Sequence, residues 1–308
     1  MDPTMNKLLT LHFEVSQGLK WWKASYGDLT VGDRHRNFCI ELGKQIEIPV
    51  TSLLAVGSVQ QSLEQLSALV SGEAFKADHR TFSTSWHPQA RKFCLEKIAE
   101  EIVMQGEHVT ENKAHLLPAL AEALWRRFPD VGRLLLGHLL RRCPALMPAL
   151  LQPEVSGTVM DSIGLGVYRP MGTDLKHLPR VASLMRLYAA VLKSPFPWYK
   201  DIGGDRPRQP QGPVLAWEWL EAWRQWPIDC PDMSAILLCS FLDVAGGALS
   251  KNCPWRFHAM AHTLHRCYLP LLKENARTAR GAVGRLEVIL EEVMQTGYLA
   301  LPEVPTAR

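Results

Sequence analysis

The fold class is decided by residues 88–106, which read PQARKFCLEKIAEEIVMQG. Apolar residues recur there in pairs every four positions, at Cys94/Leu95, Ile98/Ala99 and Ile102/Val103. That period places them on one face of an α-helix. Pro88 stands where a first helical turn tolerates proline, and Gly106 ends the run. The stretch therefore predicts an amphipathic helix.

The same period recurs along the chain, whereas strand signals are nearly absent. It predicts further helices over 4–24, 33–46, 51–71, 111–127, 130–142, 174–193, 213–226, 231–250, 254–275 and 279–296. Prolines such as Pro49, Pro129 and Pro254 fall near the predicted helix ends. Because each helix pair hides its apolar face only against the next, we predict an all-α, irregular HEAT-like α-solenoid of roughly ten to twelve helices.

We predict one helical domain over 1–308, with sub-halves 1–143 and 174–308 joined by the irregular stretch 144–173. A second irregular stretch, 194–213, is rich in proline and glycine. Loops of this length are often functional, and a surface excursion packed by its own aromatic residues is the equal alternative.

Composition excludes several classes of protein. The 308 residues carry a net charge of only +3 and a pI of 8.5, which argues against a general nucleic-acid binder. Seven scattered cysteines without a CxxC pair argue against a disulfide framework and indicate a reducing compartment. No run approaches the eighteen or so apolar residues of a membrane span, so none is expected.

The histidines raise the question of a metal site. His258, His262 and His265 share one stripe of a predicted helix, but no Asp or Glu lies between Asp243 and Glu274 to support a zinc centre. We therefore expect a solvated or interface-facing polar stripe and no metal. Phosphate-binding and nucleophile motifs are also missing, so no catalytic residue and no enzymatic activity are predicted.

Two local patterns remain. Trp219, Trp223 and Trp226 share a helical stripe that favours a core seam over a groove for a partner peptide. The strongest charge signal lies in 122–142, where five arginines oppose one glutamate and one aspartate. At its end His138, Arg141 and Arg142 share one helix face. These three basic groups have two possible roles. They complement the negative end of the helix dipole, which needs no ligand, or they form a binding site for a polyanion.

Several segments together resemble the C-terminal domain of the Gle-one mRNA export factors. They are Ile48-Pro-Val-Thr-Ser, Ser58-Val-Gln-Gln-Ser-Leu, the stretch 131–144 (VGRLLLGHLLRRCP), Met185-Arg-Leu-Tyr-Ala-Ala, Trp217-Glu-Trp-Leu and the stretch 241–249 (FLDVAGGAL). They cover nearly all of the chain in order. The family's N-terminal coiled coil is not expected here, since no sustained heptads occur.

The resemblance implies a fold similar to the middle domain of the translation-initiation scaffold. It also implies a role at the cytoplasmic face of the nuclear pore complex, with location in nucleus and cytoplasm. There, family members bind the DEAD-box export helicase and stimulate its ATPase cycle, which promotes mRNP remodelling and mRNA release. An FG-repeat nucleoporin and translation initiation or termination factors are further expected partners. The alternative is a HEAT-type scaffold that binds RNA or translation factors directly without activating a helicase.

The resemblance also implies a basic face for polyphosphate and helicase, carried over to Lys97, His138, Arg141 and Arg142. In fungal members inositol hexakisphosphate bridges activator and helicase through such a pocket. This chain departs from the pattern at Glu101, where the fungal proteins have another basic residue. We expect Lys97 to pair with Glu101, inositol hexakisphosphate to bind weakly or not at all, and the helicase to be contacted directly.

Overall fold

The computed structural model describes residues 3–56, 58–77, 80–108, 116–147, 178–193, 211–224 and 230–300. Its α-helices are α1 (Pro3–Ala24), α2 (Asp33–Val56), α3 (Val59–Ser71), α4 (Ala90–Gly106), α5 (Leu116–Arg127), α6 (Asp130–Arg142), α7 (Leu178–Lys193), α8 (Gln211–Arg224), α9 (Pro231–Phe241), α10 (Gly247–Asn252), α11 (Pro254–Thr263), α12 (Leu269–Asn275) and α13 (Arg280–Thr296). One hairpin joins β1 (Phe75–Ala77) to β2 (Arg80–Phe82). The all-α prediction is confirmed.

The chain divides into two compact units. The first unit is Phe13–Leu139, and the second unit combines Met1–His12 with Leu140–Arg308. This division assigns residues 1–12 to the unit with 140–308, so it differs from the predicted sub-halves 1–143 and 174–308, which stay a prediction. Residues 148–173 of the first irregular stretch and 194–210 of the second lie outside the described residues. That the two units form one domain stays a prediction.

In the first unit, α2, α3, α4 and α5 pack against one another. Here the predicted helix break at Pro49 is wrong, because α2 continues through this proline. The carbonyl of Pro49 accepts hydrogen bonds from Ser52 Oγ at 3.2 Å and from Ser62 Oγ at 2.8 Å. Helix α3 begins only at Val59, where Ser58 Oγ accepts a hydrogen bond from the backbone N–H of Gln61 at 3.3 Å. Side-chain capping thus sets the boundary instead of the proline.

The β-hairpin was not foreseen, because each strand has only three residues and no period can be read over that length. It is held by aromatic contacts. The ring of Phe82 stacks on Phe75 with centroids 5.7 Å apart, and it also meets Phe38 of α2 and Trp86. Trp86 is 61% exposed, so this cluster reaches the protein surface.

In the second unit, α9 is the central helix and packs against α7, α12 and α13. The segment Pro231–Asn252 has the length and hydropathy of a membrane span, at a mean hydropathy of 1.7, but 78% of that window is buried inside the protein. The helix predicted over 231–250 covers most of this segment, in which Asp243 interrupts the run of apolar residues. A helix surrounded by core on all sides needs this composition.

Two π-helical turns interrupt the helices of the second unit. Leu242–Gly246 separates α9 from α10, and Leu264–Tyr268 separates α11 from α12. One residue, Leu269, separates the second turn from Pro270, whose ring would collide with the carbonyl of Arg266 in a regular α-helix. A wider π turn relieves that collision.

The sequence contains three Cys-Pro pairs, and each lies at a helix boundary. Pro231 and Pro254 occupy the first turns of α9 and α11, and Cys143 follows the end of α6. Trp219 and Trp223 of α8 are 0% and 1% exposed, so the core interpretation of the tryptophan stripe is confirmed for them. Trp226 lies outside the described residues.

Candidate functional site

The four residues of the predicted basic face lie on two helices, Lys97 on α4 and the other three on α6. Helix α6 begins at Asp130 beside the α5 end, and Gly132 lets it approach the buried ring of Trp125 closely enough that no Cβ would fit. The helix then runs through a series of buried leucines, Leu134, Leu135, Leu136, Leu139 and Leu140. It ends in Arg141, which is exposed, and Arg142, which is half-buried.

Arg141 and Arg142, here called the basic helix end, occupy the last turn of α6. Cations at this position complement the partial negative charge of the helix C-terminus. The carbonyl of Arg142 accepts a hydrogen bond from Arg180 Nη2 at 3.5 Å. A third guanidinium therefore reaches the same helix end within the second unit.

His138 does not belong to this exposed set. It is 2% exposed, and its Nε2 lies 2.9 Å from Glu96 Oε1 of α4 within the first unit. His138 is thus a core residue, and its assignment to the polyphosphate- and helicase-facing basic face stays a prediction. Leucines flank His138 on both sides in the sequence, and they carry it into the core.

Glu96 is the centre of a buried polar cluster in the first unit, which we define as Lys23, Tyr26, Glu96, Glu100 and His138. Tyr26 Oη donates to Glu96 Oε2 at 2.9 Å, and Lys23 Nζ lies 2.8 Å from Glu96 Oε1. Lys23 also lies 3.8 Å from a carboxylate oxygen of Glu100. One buried carboxylate thus holds two basic groups and a phenol.

The pKa values in the buried polar cluster follow from these contacts. Burial by itself would raise the pKa of Glu96, but the hydrogen bond and charge of His138, followed by those of Lys23, lower it to about 2. Burial, and then the charge of Glu96, raise the pKa of Tyr26 far above its usual value. Glu96 is therefore ionised and Tyr26 neutral at physiological pH.

The remaining residue of the predicted face, Lys97, pairs with Glu100 and not with Glu101. Its Nζ lies 2.7 Å from Glu100 Oε2, which corrects the expected pairing. Glu101 is only 4% exposed, and its Oε1 accepts a hydrogen bond from Gln105 Nε2 at 2.9 Å. Burial opposes ionisation of Lys97, but the hydrogen bond and charge of Glu100 outweigh it and raise the pKa of Lys97.

Within the part of the chain that the structure describes, only one group of three potential metal ligands converges. The ligand atoms of Glu96, Glu100 and His138 lie within 4.8 Å of one another. The ammonium of Lys23 already provides positive charge next to both carboxylates. Among the described residues, His258 and His262 of α11 and His265 of the π turn after it do not form such a group.

Each of the two units holds two residues of the predicted basic face. Arg141 and Arg142 lie at the end of α6 in the second unit, while Lys97 and His138 are engaged by carboxylates of the first unit. Sequence reasoning missed Lys23, Tyr26 and Glu96. The sequence did offer one signal for this buried cluster, because His138 is the one polar side chain in the otherwise apolar run Leu134–Leu140.

Comparison with known proteins places this architecture in a family. The family model described as GLE1-like protein matches residues 27–264, which is most of the chain. The chain belongs to this GLE1-like family. The matched range includes all of the buried polar cluster except Lys23 and Tyr26, and it includes the basic helix end.

Curated members of the GLE1-like family share about a quarter of their residues with this chain. The mouse mRNA export factor GLE1 is 28% identical over 276 residues, covering 85% of this chain and 38% of the mouse protein. The zebrafish mRNA export factor GLE1 is 29% identical over 242 residues, covering 75% of this chain and 34% of the zebrafish protein. The Drosophila mRNA export factor Gle1 is 25% identical over 275 residues. The chain therefore spans little more than a third of these relatives.

A solved structure shows the same fold over nearly the whole chain. It is described as the S. cerevisiae Dbp5 L327V C-terminal domain bound to Gle1 and IP6, and it matches with a TM-score of 0.66 at 16% identity. The match covers 95% of this chain and 99% of that chain. A second structure, with Gle1 H337R, matches equally well.

Proposed function

We propose that this chain is an mRNA export factor that binds a DEAD-box RNA helicase and stimulates its ATPase cycle. The observation that carries the proposal is membership of the GLE1-like family, together with a fold match that extends over the whole chain of a helicase-bound relative. Stimulation of ATP turnover would promote remodelling of the mRNP and release of mRNA.

The exposed charge supports a contact at the basic helix end. Arg141 is exposed and Arg142 half-exposed at the C-terminus of α6. Guanidinium groups form bidentate hydrogen bonds with carboxylate or phosphate, so either an acidic helicase surface or a polyphosphate fits them. Charge complementarity of this kind accelerates association and fixes orientation.

The carboxylate contacts of Lys97 and His138 support helicase binding that depends only weakly on inositol hexakisphosphate. Lys97 and His138, two of the four residues expected to hold it, already have carboxylate partners at 2.7 and 2.9 Å. To bind polyphosphate they would have to leave Glu100 and Glu96, and Glu96 would then be a buried carboxylate with fewer partners. Uncompensated buried charge is strongly destabilising. We therefore propose direct helicase binding, with the arginines available to a polyphosphate only as a weaker site.

The test is the RNA-stimulated ATPase rate of the DEAD-box export helicase from the same organism, measured with and without saturating protein. We expect an increased rate that does not require inositol hexakisphosphate. An unchanged rate at saturation would contradict helicase activation. An ATPase rate that rises only when inositol hexakisphosphate is added would support helicase activation and contradict direct helicase binding without the polyphosphate.

The double variant Arg141→Glu/Arg142→Glu tests the surface. It reverses two charges at the proposed contact and should weaken helicase binding at least tenfold at low salt, measured by calorimetry. The matched control is Arg34→Glu/Arg36→Glu, which makes the same charge change at two exposed positions of α2. Equal losses in both variants would indicate non-specific electrostatics, and no loss in the first would move the interface elsewhere.

The same proposal includes an FG-repeat nucleoporin as a partner and location at the cytoplasmic face of the nuclear pore. Family membership supports both. Fluorescent tagging of the full-length protein tests the location, and exclusion from the nuclear rim would contradict it.

The alternative scaffold function is direct RNA binding. It predicts that the logarithm of the RNA affinity falls with the logarithm of the salt concentration, with a slope of about 0.7 per neutralised phosphate. An RNA titration that shows no binding would reject this alternative.

A further inference from the structure

A surface groove in the first unit lies between α2, α3 and the start of β1. It encloses about 230 Å³ and is lined by Gln45, Ile48, Pro49, Gln65, Ala68, Leu69, Glu73, Ala74 and Phe75. Ile48 is 58% exposed although it is a large apolar residue. The groove is thus open to solvent and partly apolar, and its lining shares no residue with the buried polar cluster.

A proline and two glutamines contribute to the groove lining. Pro49 lies inside α2 and has no N–H, so the carbonyl of Gln45 lacks the donor that a regular helix would supply four residues later. Gln45 lines the groove, and the side-chain amides of Gln45 and Gln65 add further donors and acceptors. A peptide backbone entering the groove finds hydrogen-bonding partners there.

Acidic residues outnumber basic ones in the helices that form the groove. Residues 41–73, which span most of α2 and all of α3, contain four glutamates and one lysine, a net charge of −3 in a chain whose total is +3. Glu73 is the one charged residue that lines the groove, and it is exposed. Lys76 follows Phe75 in β1 and, by strand alternation, points to the opposite face of the hairpin.

We propose that this groove binds a short basic peptide segment of a partner protein. An apolar side chain of the peptide would pack against Ile48, Leu69 and Phe75, and a neighbouring lysine or arginine would pair with Glu73. A backbone N–H would donate to the carbonyl of Gln45. The occupant is basic because Glu73 is the one charged side chain of the groove lining, so charge complementarity selects the opposite sign.

The experiment uses a phage-displayed library of random twelve-residue peptides, selected against the whole chain. We expect the enriched sequences to share a large apolar residue next to lysine or arginine. The best enriched peptide, synthesised with a fluorophore, is then titrated by fluorescence anisotropy. Enriched sequences without a basic residue, or no enrichment over an uncoated surface, would overturn the proposal.

Three variants locate the binding. Glu73→Lys and Ile48→Asp both change exposed side chains, so they should fold, and each should weaken peptide binding at least fivefold. The matched control is Glu64→Lys, which makes the same charge change at an exposed position of α3 outside the groove lining. Equal weakening by Glu64→Lys and Glu73→Lys, or no effect of Ile48→Asp, would place the peptide elsewhere. Since no helicase is present, this test fails or succeeds independently of the proposed ATPase stimulation.

Discussion

Removing the charge of Glu96 should destabilise the first unit in a pH-dependent way. In Glu96→Gln, the side chain keeps its shape and can still accept the hydrogen bond from Tyr26 Oη. It loses the negative charge that faces Lys23 and His138 at 2.8 and 2.9 Å. The substitution therefore isolates the electrostatic part of the buried polar cluster.

The magnitude follows from the pKa of Glu96, which falls from its ordinary 4.5 to about 2 in the folded protein. One pKa unit corresponds to about 1.4 kcal/mol, so the ionised group contributes about 3 kcal/mol near neutral pH. Because the folded pKa is lower than the unfolded one, this contribution is complete above about pH 5 and is lost as the pH falls toward 2. At pH 3 about half of it should remain.

The assay is amide hydrogen exchange of α4, read by mass spectrometry and corrected for intrinsic rates at each pH. This readout is local, which suits a chain with two units. At pH 7, Glu96→Gln should exchange about 100-fold faster than the unchanged protein, and the gap should narrow markedly at pH 3. The control Glu47→Gln removes an exposed charge from α2 and should leave α4 unaffected. Equal protection at pH 7, or a gap of the same size at both pH values, would refute the reasoning.

Two further substitutions test the packing of each unit. Gly132→Ala should destabilise the first unit by about 1–3 kcal/mol in urea denaturation, because its methyl group would overlap the ring of Trp125; Gly43→Ala, with open space around it, should be neutral or stabilising. Trp219→Phe should cost the second unit about 1–3 kcal/mol, because Trp219 Nε1 donates to the carbonyl of Leu146 at 2.6 Å and phenylalanine leaves this buried acceptor unpaired. For either variant, a free energy of unfolding that equals that of the unchanged protein within error would contradict the explanation.

Much of the fold could be predicted because its causes are local. The helix predicted over 88–105 appears as α4 at Ala90–Gly106, since the spacing of its apolar pairs by itself selects one helical face. Pro49 was misleading for an equally physical reason. A proline costs a helix one hydrogen bond, and packing of α2 against three neighbouring helices compensates for that loss.

The candidate site was less predictable because its decisive contacts join distant residues. Lys23, Glu96 and His138 meet across more than a hundred residues of sequence. The spacing of His138 from Arg141 and Arg142 is correct for one turn of helix. Yet helical spacing cannot tell which side of that turn meets another helix. Only the leucines around His138 indicated its burial.

The two π-helical turns bear on how chains of this family can differ in length. A π turn is equivalent to one residue inserted into an α-helix, and the widened turn absorbs that residue without rotating the helix beyond it. A relative with one residue fewer at 242–246 or 264–268 could therefore form an unbroken helix and still present the same side chains to the core. A single-residue gap at either position is thus compatible with an unchanged fold, whereas the same gap inside α4 would turn every later residue of that helix by about 100°.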